Sequence, residues 1–207
     1  MAEGEVYCHE CGNPRGGIVC PVCNTLNDFA FCKQCGTPLT DEAKGLVADL
    51  KKLPDYQLLT EMARELEELT AACRKMSETK TGALIVLRHG SALGDILETG
   101  DEIDARISRR LIENIFFKNS PLHDGAMILS ENRILAARCT LPITQRQDIP
   151  PHYGMRHRAA IGMSEVSDAS IIVVSEETGG ISFVSGGQIK TVESITELRL
   201  AIENSYK

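Results

Sequence analysis

The chain has 207 residues, enough for one substantial hydrophobic core and a small appendage. Its formal net charge is −7, aromatic residues make up 4% of it and it has no tryptophan, a balance that disfavours broad binding to nucleic acid. No apolar run approaches the ~20 residues of a membrane helix, and the acidic N-terminus lacks the apolar centre of a signal peptide. We therefore expect a soluble, cytoplasmic protein without a membrane partner.

Cysteines dominate the start of the chain. Three Cys-x-x-Cys pairs recur with a period of twelve residues: Cys8/Cys11, Cys20/Cys23 and Cys32/Cys35. In a reducing compartment such pairs indicate a metal site, because two Cys-x-x-Cys turns supply the four thiolates of a tetrahedral structural zinc site. The flanking residues favour a zinc ribbon over residues 1–39 with the ligands Cys20, Cys23, Cys32 and Cys35. Cys8 and Cys11 either form half of a second zinc site that another chain completes, or exchange into the first.

Residues 40–78 are predicted to form a helical connector. Thr40 is placed to cap a helix that reaches about Leu53, Pro54 to end it, and Asp55 to cap a second helix. The second helix has apolar residues at alternating steps of three and four: Leu59, Met62, Leu66, Leu69, Cys73 and Met76. This stripe either packs on the neighbouring domain or pairs with the same helix of another protomer, and the sequence does not choose between the two.

Residues 79–207 show strand and helix patterns in turn. Apolar runs predict a buried strand at 83–87 and strand pairs at 126–129 with 134–137 and at 171–174 with 181–184, followed by a turn at Gly186-Gly187. Helices are expected from a cap at Asp104 to Phe117, after Arg158, and after Ser194 with Glu197 completing a capping box. These patterns predict an α/β domain with a mixed sheet and helices on its faces.

Two motifs in this domain carry groups suited to chemistry on phosphates. In LHDGA (residues 122–126), Asp124 stands directly before an apolar strand and Gly125 allows backbone to come close to a ligand. In RHRAAIG (156–162), a basic triplet precedes helix-forming residues, where an anion would be held favourably. Either motif alone is more often a turn or a solvated face. A carboxylate beside a basic anion cradle is, however, the arrangement that phosphoryl and nucleotidyl transfer use.

Together with SEETG (175–179), these two motifs resemble the diadenylate cyclase (DAC) domain, which joins two ATP molecules into cyclic di-AMP. The resemblance runs from about residue 82 to about residue 190. It implies a mixed-sheet DAC-type α/β fold with surrounding helices, preceded here by the zinc ribbon and the connector. It also implies a nucleotidyltransferase that releases two pyrophosphates and depends on Mg²⁺ or Mn²⁺.

The resemblance further implies a role for each matching residue. The catalytic set is Asp124, which would orient or activate the ribose 3′-hydroxyl, with Arg156, His157 and Arg158 on the phosphates. The metal ligands would be His123 and Glu177. The ATP-binding set would be Gly125, Ala126, Leu141, Met155, Ser175 and Glu176, with Leu141 contacting adenine through its backbone. His89 and His152 match no motif and are expected to be structural, and Cys73 and Cys139 to be core residues.

Two features bear on activity. Members of the family commonly have Gly-Thr-Arg-His-Arg, whereas this chain has Met155 at the threonine position and so lacks that hydroxyl. Each site would hold one ATP, so a twofold-symmetric product requires two sites to face each other, and the expected partner is a second copy of the chain. We expect the ribbon and connector to control that pairing.

Two other functions are compatible with the sequence. In the first, the altered Met155 marks a non-catalytic adenine-nucleotide sensor that signals through the ribbon. In the second, the ribbon is the main module and binds nucleic acid. Residues 1–39 offer only Arg15 and Lys33 as cations, which makes this last function the weakest of the three.

Overall fold

The structure, a computed structural model, describes residues 17–27 and 29–206. The chain divides into two compact units, Met1–Glu61 and Met62–Lys207. Cys8 and Cys11 lie outside the described residues, so their ligation stays a prediction. Among the helices that are described, none combines the length and the apolar character needed to cross a bilayer.

The smaller unit contains a cysteine-rich segment and a helix. The segment has a two-stranded antiparallel sheet of β1 (Ile18–Val19) and β2 (Leu26–Asn27). Helix α1 (Asp41–Leu50) starts as expected, because the Thr40 hydroxyl accepts a hydrogen bond from the Ala43 N–H at 3.2 Å.

The connection between the first two long helices differs from the prediction. Helix α1 ends at Leu50 rather than near Leu53, and α2 (Pro54–Glu78) begins at Pro54 itself. Proline is well suited to the first helical position, where its missing N–H has no intrahelical partner to lose. Pro54 therefore starts a helix rather than only ending one, and Asp55 lies in the first turn of α2 instead of capping it.

The apolar stripe of α2 has two different environments. Leu69, Cys73 and Met76 are buried in the main core of the larger unit, and Leu66 packs against that core. The side chains of Leu59 and Met62 are 65% and 44% exposed. Packing on the adjoining domain, the first of the two alternatives for this helix, is therefore confirmed for its C-terminal half.

The larger unit is built on one mixed sheet of seven strands, which confirms the predicted fold class. Its strands are β3 (Ala83–Leu87), β4 (Asp101–Arg106), β5 (Ala126–Ser130), β6 (Arg133–Cys139), β7 (Ser170–Val174), β8 (Ile181–Ser185) and β9 (Gln188–Val192). Their order across the sheet is β4-β6-β5-β3-β7-β8-β9. Central β3 runs parallel to β5 and antiparallel to β7, and the remaining neighbours are all antiparallel.

Helices cover both faces of this sheet. Ile85 and Leu87 of β3 face a core formed with α2, α4 (Arg109–Ile115) and α6 (Ile195–Ser205), whereas Leu84 and Val86 face α5 (Met155–Val166). A short helix, α3 (Gly94–Leu97), precedes β4. Because both faces are covered, the central strands are continuous apolar runs rather than alternating ones.

The helix expected from Asp104 to Phe117 is partly wrong. Residues 101–106 form β4, an edge strand whose side chains alternate between exposed and half-buried. Asp104 lies at a bulge of this strand with φ of 43°, and the helix starts only at Arg109, after Ser108. The apolar residues at 103, 107 and 111 are spaced by four, which imitates a helix even though the first of them belongs to a strand.

The predicted turns are confirmed. Glu131 and Asn132, between β5 and β6, have φ of 45° and 64°, the left-handed pair that a two-residue hairpin requires. Gly186 and Gly187 have the same handedness between β8 and β9. At the start of α6 the Ser194 hydroxyl accepts a hydrogen bond from the Glu197 N–H at 3.1 Å, as a capping box predicts.

Candidate active site and metal centre

A cleft of about 870 Å³ opens where several strand ends meet. Strands β3 and β5 begin at this edge of the sheet, and β6 and β7, which are antiparallel to their neighbours β5 and β3, end there. The first turn of α5 forms another wall. Sequence motifs that lie far apart in the chain are brought together here because the strand topology delivers each of them to the same edge.

Most of the residues singled out from the sequence line this cleft. They are His123, Asp124, Gly125, Leu141, Met155, Arg156, His157, Ser175, Glu176 and Glu177. Ala126 is fully buried as the first residue of β5, and Arg158 is not among the lining residues. Thr140, Ile143 and His152 also line the cleft, although the sequence assigned them no role and His152 was expected to be structural.

The Asp124 carboxylate is exposed at the cleft and accepts no hydrogen bond from any residue that the structure describes. Both of its oxygens are therefore available to a hydroxyl group or a metal ion. The neighbouring Gly125 has φ of +122°, and a Cβ on it would lie 2.7 Å from the Arg138 carbonyl carbon and 2.9 Å from the Cys139 oxygen. Position 125 therefore requires glycine because the β6 backbone leaves no space for a side chain there, whether or not a ligand is bound.

Gly125→Ala should destabilise the fold by about 3 kcal/mol or more, because it combines a strained φ with a backbone collision. Chemical denaturation monitored by circular dichroism measures the change. Gly186→Ala is a matched control, since Gly186 also has a positive φ but a Cβ there meets nothing within 4 Å. Equal losses for the two variants would show that the contact with β6 contributes nothing.

His123 is held in one tautomer. Its Nδ1 lies 2.7 Å from the Ser120 carbonyl oxygen, which can only accept a hydrogen bond, so Nδ1 carries the proton. The lone pair of the neutral ring is then on Nε2. A hydrogen bond from the other ring nitrogen to a backbone carbonyl is the usual support of a metal-ligating histidine.

The basic triplet lies inside α5 rather than before it, because this helix begins at Met155, four residues earlier than predicted. Arg156 Nη1 donates a hydrogen bond to Glu176 Oε2 at 2.7 Å, which joins the helix to the β7–β8 turn. His157 is buried, and burial lowers the pKa of its imidazole, with the charges of His152 and Arg156 acting in the same direction. The triplet therefore presents arginine charge while its central ring favours the neutral form.

The segment around Leu141, proposed to contact adenine, is fixed by a glycine at the end of the RHRAAIG motif to which the sequence assigned no role. A Cβ on Gly162 of α5 would lie 2.4 Å from the Pro142 oxygen and 2.6 Å from the Thr144 nitrogen. The Thr144 N–H also donates to the Arg158 carbonyl at 3.2 Å. The backbone after β6 is thus held directly on α5, and Leu141 is 7% exposed at the cleft.

Comparison with known proteins assigns the larger unit to a protein family. The family model described as "DAC: DisA bacterial checkpoint controller nucleotide-binding" matches residues 70–189. The chain belongs to this family. The matched DAC residues contain every cleft residue named above, whereas the cysteine-rich segment lies outside them.

Named relatives and a solved structure are similar to the DAC domain. The cyclic di-AMP synthase CdaA of Bacillus subtilis is 40% identical over 144 residues, which cover 70% of this chain and 53% of the relative. The diadenylate cyclase CdaS of Bacillus thuringiensis is 44% identical over 124 residues, 60% of this chain and 62% of the relative. A double mutant of Staphylococcus aureus DacA superposes with a TM-score of 0.69 at 37% identity, covering 71% of this chain and 98% of that structure. The chain thus spans about half the length of CdaA.

The predicted zinc ligands come together in the ribbon that precedes the DAC domain. The ligand atoms of Cys20, Cys23, Cys32 and Cys35 all lie within 4.8 Å of one another, and no other such group occurs among residues 17–27 and 29–206. Three of the Sγ–Sγ distances are 3.5 Å. A tetrahedron with Zn–S bonds of about 2.3 Å has edges of about 3.8 Å, so the four thiols fit one zinc ion.

The two Cys-x-x-Cys turns that the structure describes have the same backbone hydrogen bond. The Cys20 N–H donates to the Thr25 carbonyl and the Cys32 N–H to the Thr37 carbonyl, at 2.9 and 2.8 Å. Burial raises the pKa of the Cys32 thiol, but hydrogen bonds from the Cys35 and Gln34 backbone and from neighbouring thiols outweigh it and lower the pKa to about 6. At Cys32 this favours thiolate, the form that binds metal, whereas the pKa of the Cys23 thiol is raised to about 11.

Proposed function

We propose that this chain is a diadenylate cyclase that converts two ATP molecules into cyclic di-AMP and two pyrophosphates. The observation that carries the proposal is the Asp124 carboxylate, with no hydrogen-bond partner among the described residues, in the same cleft as the Arg156 guanidinium and within a domain of the DAC family. The named relatives CdaA and CdaS, a cyclic di-AMP synthase and a diadenylate cyclase, support it.

The cleft residues divide the chemistry between them. Asp124 accepts the proton of the ribose 3′-hydroxyl of one ATP as that oxygen attacks the α-phosphorus of the other. The bond from the α-phosphorus to the bridging oxygen breaks, and pyrophosphate leaves. Arg156 stabilises the charge that develops on the phosphates, and Arg158 acts with it if nucleotide binding draws its side chain into the cleft.

His123 and Glu177 are the proposed ligands of the divalent metal, Mg²⁺ or Mn²⁺. Both line the cleft, and the lone pair on His123 Nε2 and the Glu177 carboxylate are suitable donors. When bound, the ion supplies positive charge at the triphosphate. The remaining residues hold the base and sugar: Gly125, Ala126, Leu141, Met155, Ser175 and Glu176.

The reaction requires two copies of the chain. Each cleft holds one ATP, and a ring with two identical phosphodiester bonds forms only when two clefts face each other. ATP turnover against protein concentration tests this directly. Below the dimer dissociation constant, the initial rate of cyclic di-AMP formation should rise with the square of protein concentration, as measured by liquid chromatography with mass spectrometry. ATP that binds without any product at all concentrations would overturn the proposal.

The alternative, a nucleotide sensor without activity, is favoured by one observation. Met155 lines the cleft with 63% of its surface exposed, at the position where the family commonly has a threonine hydroxyl. The sensor binds ATP in the presence of Mn²⁺ and releases no pyrophosphate. A pyrophosphate assay on the unaltered chain therefore separates the two functions.

The proposed role of the ribbon is structural and regulatory. Zinc bound by Cys20, Cys23, Cys32 and Cys35 would be closed to substrates and would stabilise the ribbon. The ribbon and the connector would then control how two DAC domains meet. The cytoplasmic location and the ligation of Cys8 and Cys11 stay predictions.

A further inference from the structure

We propose that Gly82, the residue before β3, is a positioning residue for Arg156. Its missing side chain leaves the space in which the Arg156 guanidinium lies and meets Glu176. The effect of Gly82 on turnover rests on the proposed function, but the geometry can be tested without nucleotide.

The atoms nearest to a Cβ built on Gly82 belong to the Arg156–Glu176 pair. A Cβ built on Gly82 would lie 2.7 Å from Arg156 Nη1, 2.9 Å from Arg156 Cζ and 3.0 Å from Glu176 Oε2. Real Cβ atoms essentially never lie under 3.0 Å from other heavy atoms, so a side chain at Gly82 requires the Arg156 guanidinium to shift and Glu176 Oε2 to give by a few tenths of an ångström.

The ion pair links two walls of the cleft. Arg156 comes from the first turn of α5 and Glu176 from the β7–β8 turn, and the side chains are 23% and 62% exposed. One guanidinium nitrogen is engaged by Glu176, which leaves the remaining donors of Arg156 for the phosphates. A displaced Arg156 would lose this orientation, and the released Glu176 carboxylate would repel a triphosphate.

The β7–β8 turn is held by the end of α2, just before Gly82 in the chain. The Ser77 hydroxyl, in the last turn of α2, donates a hydrogen bond to the Gly179 carbonyl at 2.6 Å. A Cβ on Gly179 would lie 2.4 Å from the Ser77 carbonyl oxygen, so the turn rests directly on the helix end. The junction between α2 and β3 therefore supports both partners of the pair, Glu176 through Ser77 and Arg156 through Gly82.

The fold itself does not need a glycine at position 82. Gly82 is not among the residues with positive φ, and its close contacts are with the ends of two flexible side chains rather than with backbone. Alanine is therefore compatible with the backbone and reduces the freedom of the unfolded chain. Gly82→Ala should keep the thermal stability of the protein while it moves Arg156.

The test compares Gly82→Ala with Gly94→Ala in the full chain. Gly94 lies at the start of α3, where a Cβ meets nothing within 4 Å, so it is the matched control. We expect the NMR signal of the Arg156 Nε–H group, assigned by its loss in Arg156→Lys, to move only in Gly82→Ala. The dissociation constant of ATP should rise about tenfold or more, the loss expected for a hydrogen bond between charged groups.

A double mutant shows whether Gly82 acts through Arg156. In the Arg156→Ala background the side chain nearest to a Cβ at position 82 is gone and only the contact with Glu176 Oε2 at 3.0 Å remains, so adding Gly82→Ala should weaken ATP binding little further. Additive losses, an unmoved Arg156 signal, or a lower thermal midpoint than Gly94→Ala would each overturn the inference. If the unaltered chain makes no cyclic di-AMP, the proposed function fails, and the Arg156 signal still decides the role of Gly82.

Discussion

Asp124→Asn should lower cyclic di-AMP formation by about a hundred- to ten-thousandfold, the range expected for loss of a general base. The amide has nearly the shape of the carboxylate but cannot accept the 3′-hydroxyl proton. In the described part of the chain the Asp124 side chain makes no hydrogen bond, so the fold loses no contact. ATP binding should consequently survive the substitution, while turnover does not.

The measurement is the initial rate of product formation at saturating ATP and Mn²⁺, together with the dissociation constant of ATP. Asp95→Asn provides the matched control, because Asp95 is also exposed, in α3, and is not among the residues that line the cleft. Turnover by Asp124→Asn equal to that of Asp95→Asn would exclude Asp124 as the base. A large loss of ATP affinity would instead indicate that Asp124 binds the nucleotide or its metal in the ground state.

Most of the residues that the sequence singled out line one cleft, because their motifs coincide with strand ends. LHDGA precedes β5 and SEETG follows β7, and the order of strands in the sheet brings both to the edge where α5 begins. Short-range patterns identify such motifs, and the order of the strands then places them side by side. The edge strand β4 was missed for a related reason: its half-buried residues alternate too weakly to compete with a helical spacing that continues into α4.

The contacts that a linear pattern could not reveal are those between residues far apart in the chain. Gly82 and Gly162 look like ordinary glycines in the sequence. Their roles depend on what approaches them, which is a side-chain pair for Gly82 and the backbone after β6 for Gly162. The chemistry of a side chain indicates which residues are candidates for catalysis or binding. The residues that position them are identified only from the packing contacts in the structure.

Cys32→Ser should remove one zinc ion per chain and unfold the ribbon while the DAC domain stays folded. Among the described residues before Thr40, only Cys20, Asn27 and Cys32 are buried, so the ligands themselves are most of the ribbon's interior. A segment this small has almost no apolar core that could stabilise it without the metal. Structural zinc contributes about 10–16 kcal/mol in comparable peptides, far more than such a segment gains from its other contacts.

Zinc content by mass spectrometry and limited proteolysis of the ribbon measure the effect. Val22→Ser is the matched control, because Val22 lies inside the first ribbon turn between two ligands, yet its side chain is 72% exposed. The separate melting transition of the DAC domain should not change, since its core is formed by residues from Leu66 onward. Zinc retained at full occupancy by Cys32→Ser would show that Cys8 or Cys11 replaces the lost ligand, and the same variant with Cys8→Ser and Cys11→Ser would then lose it.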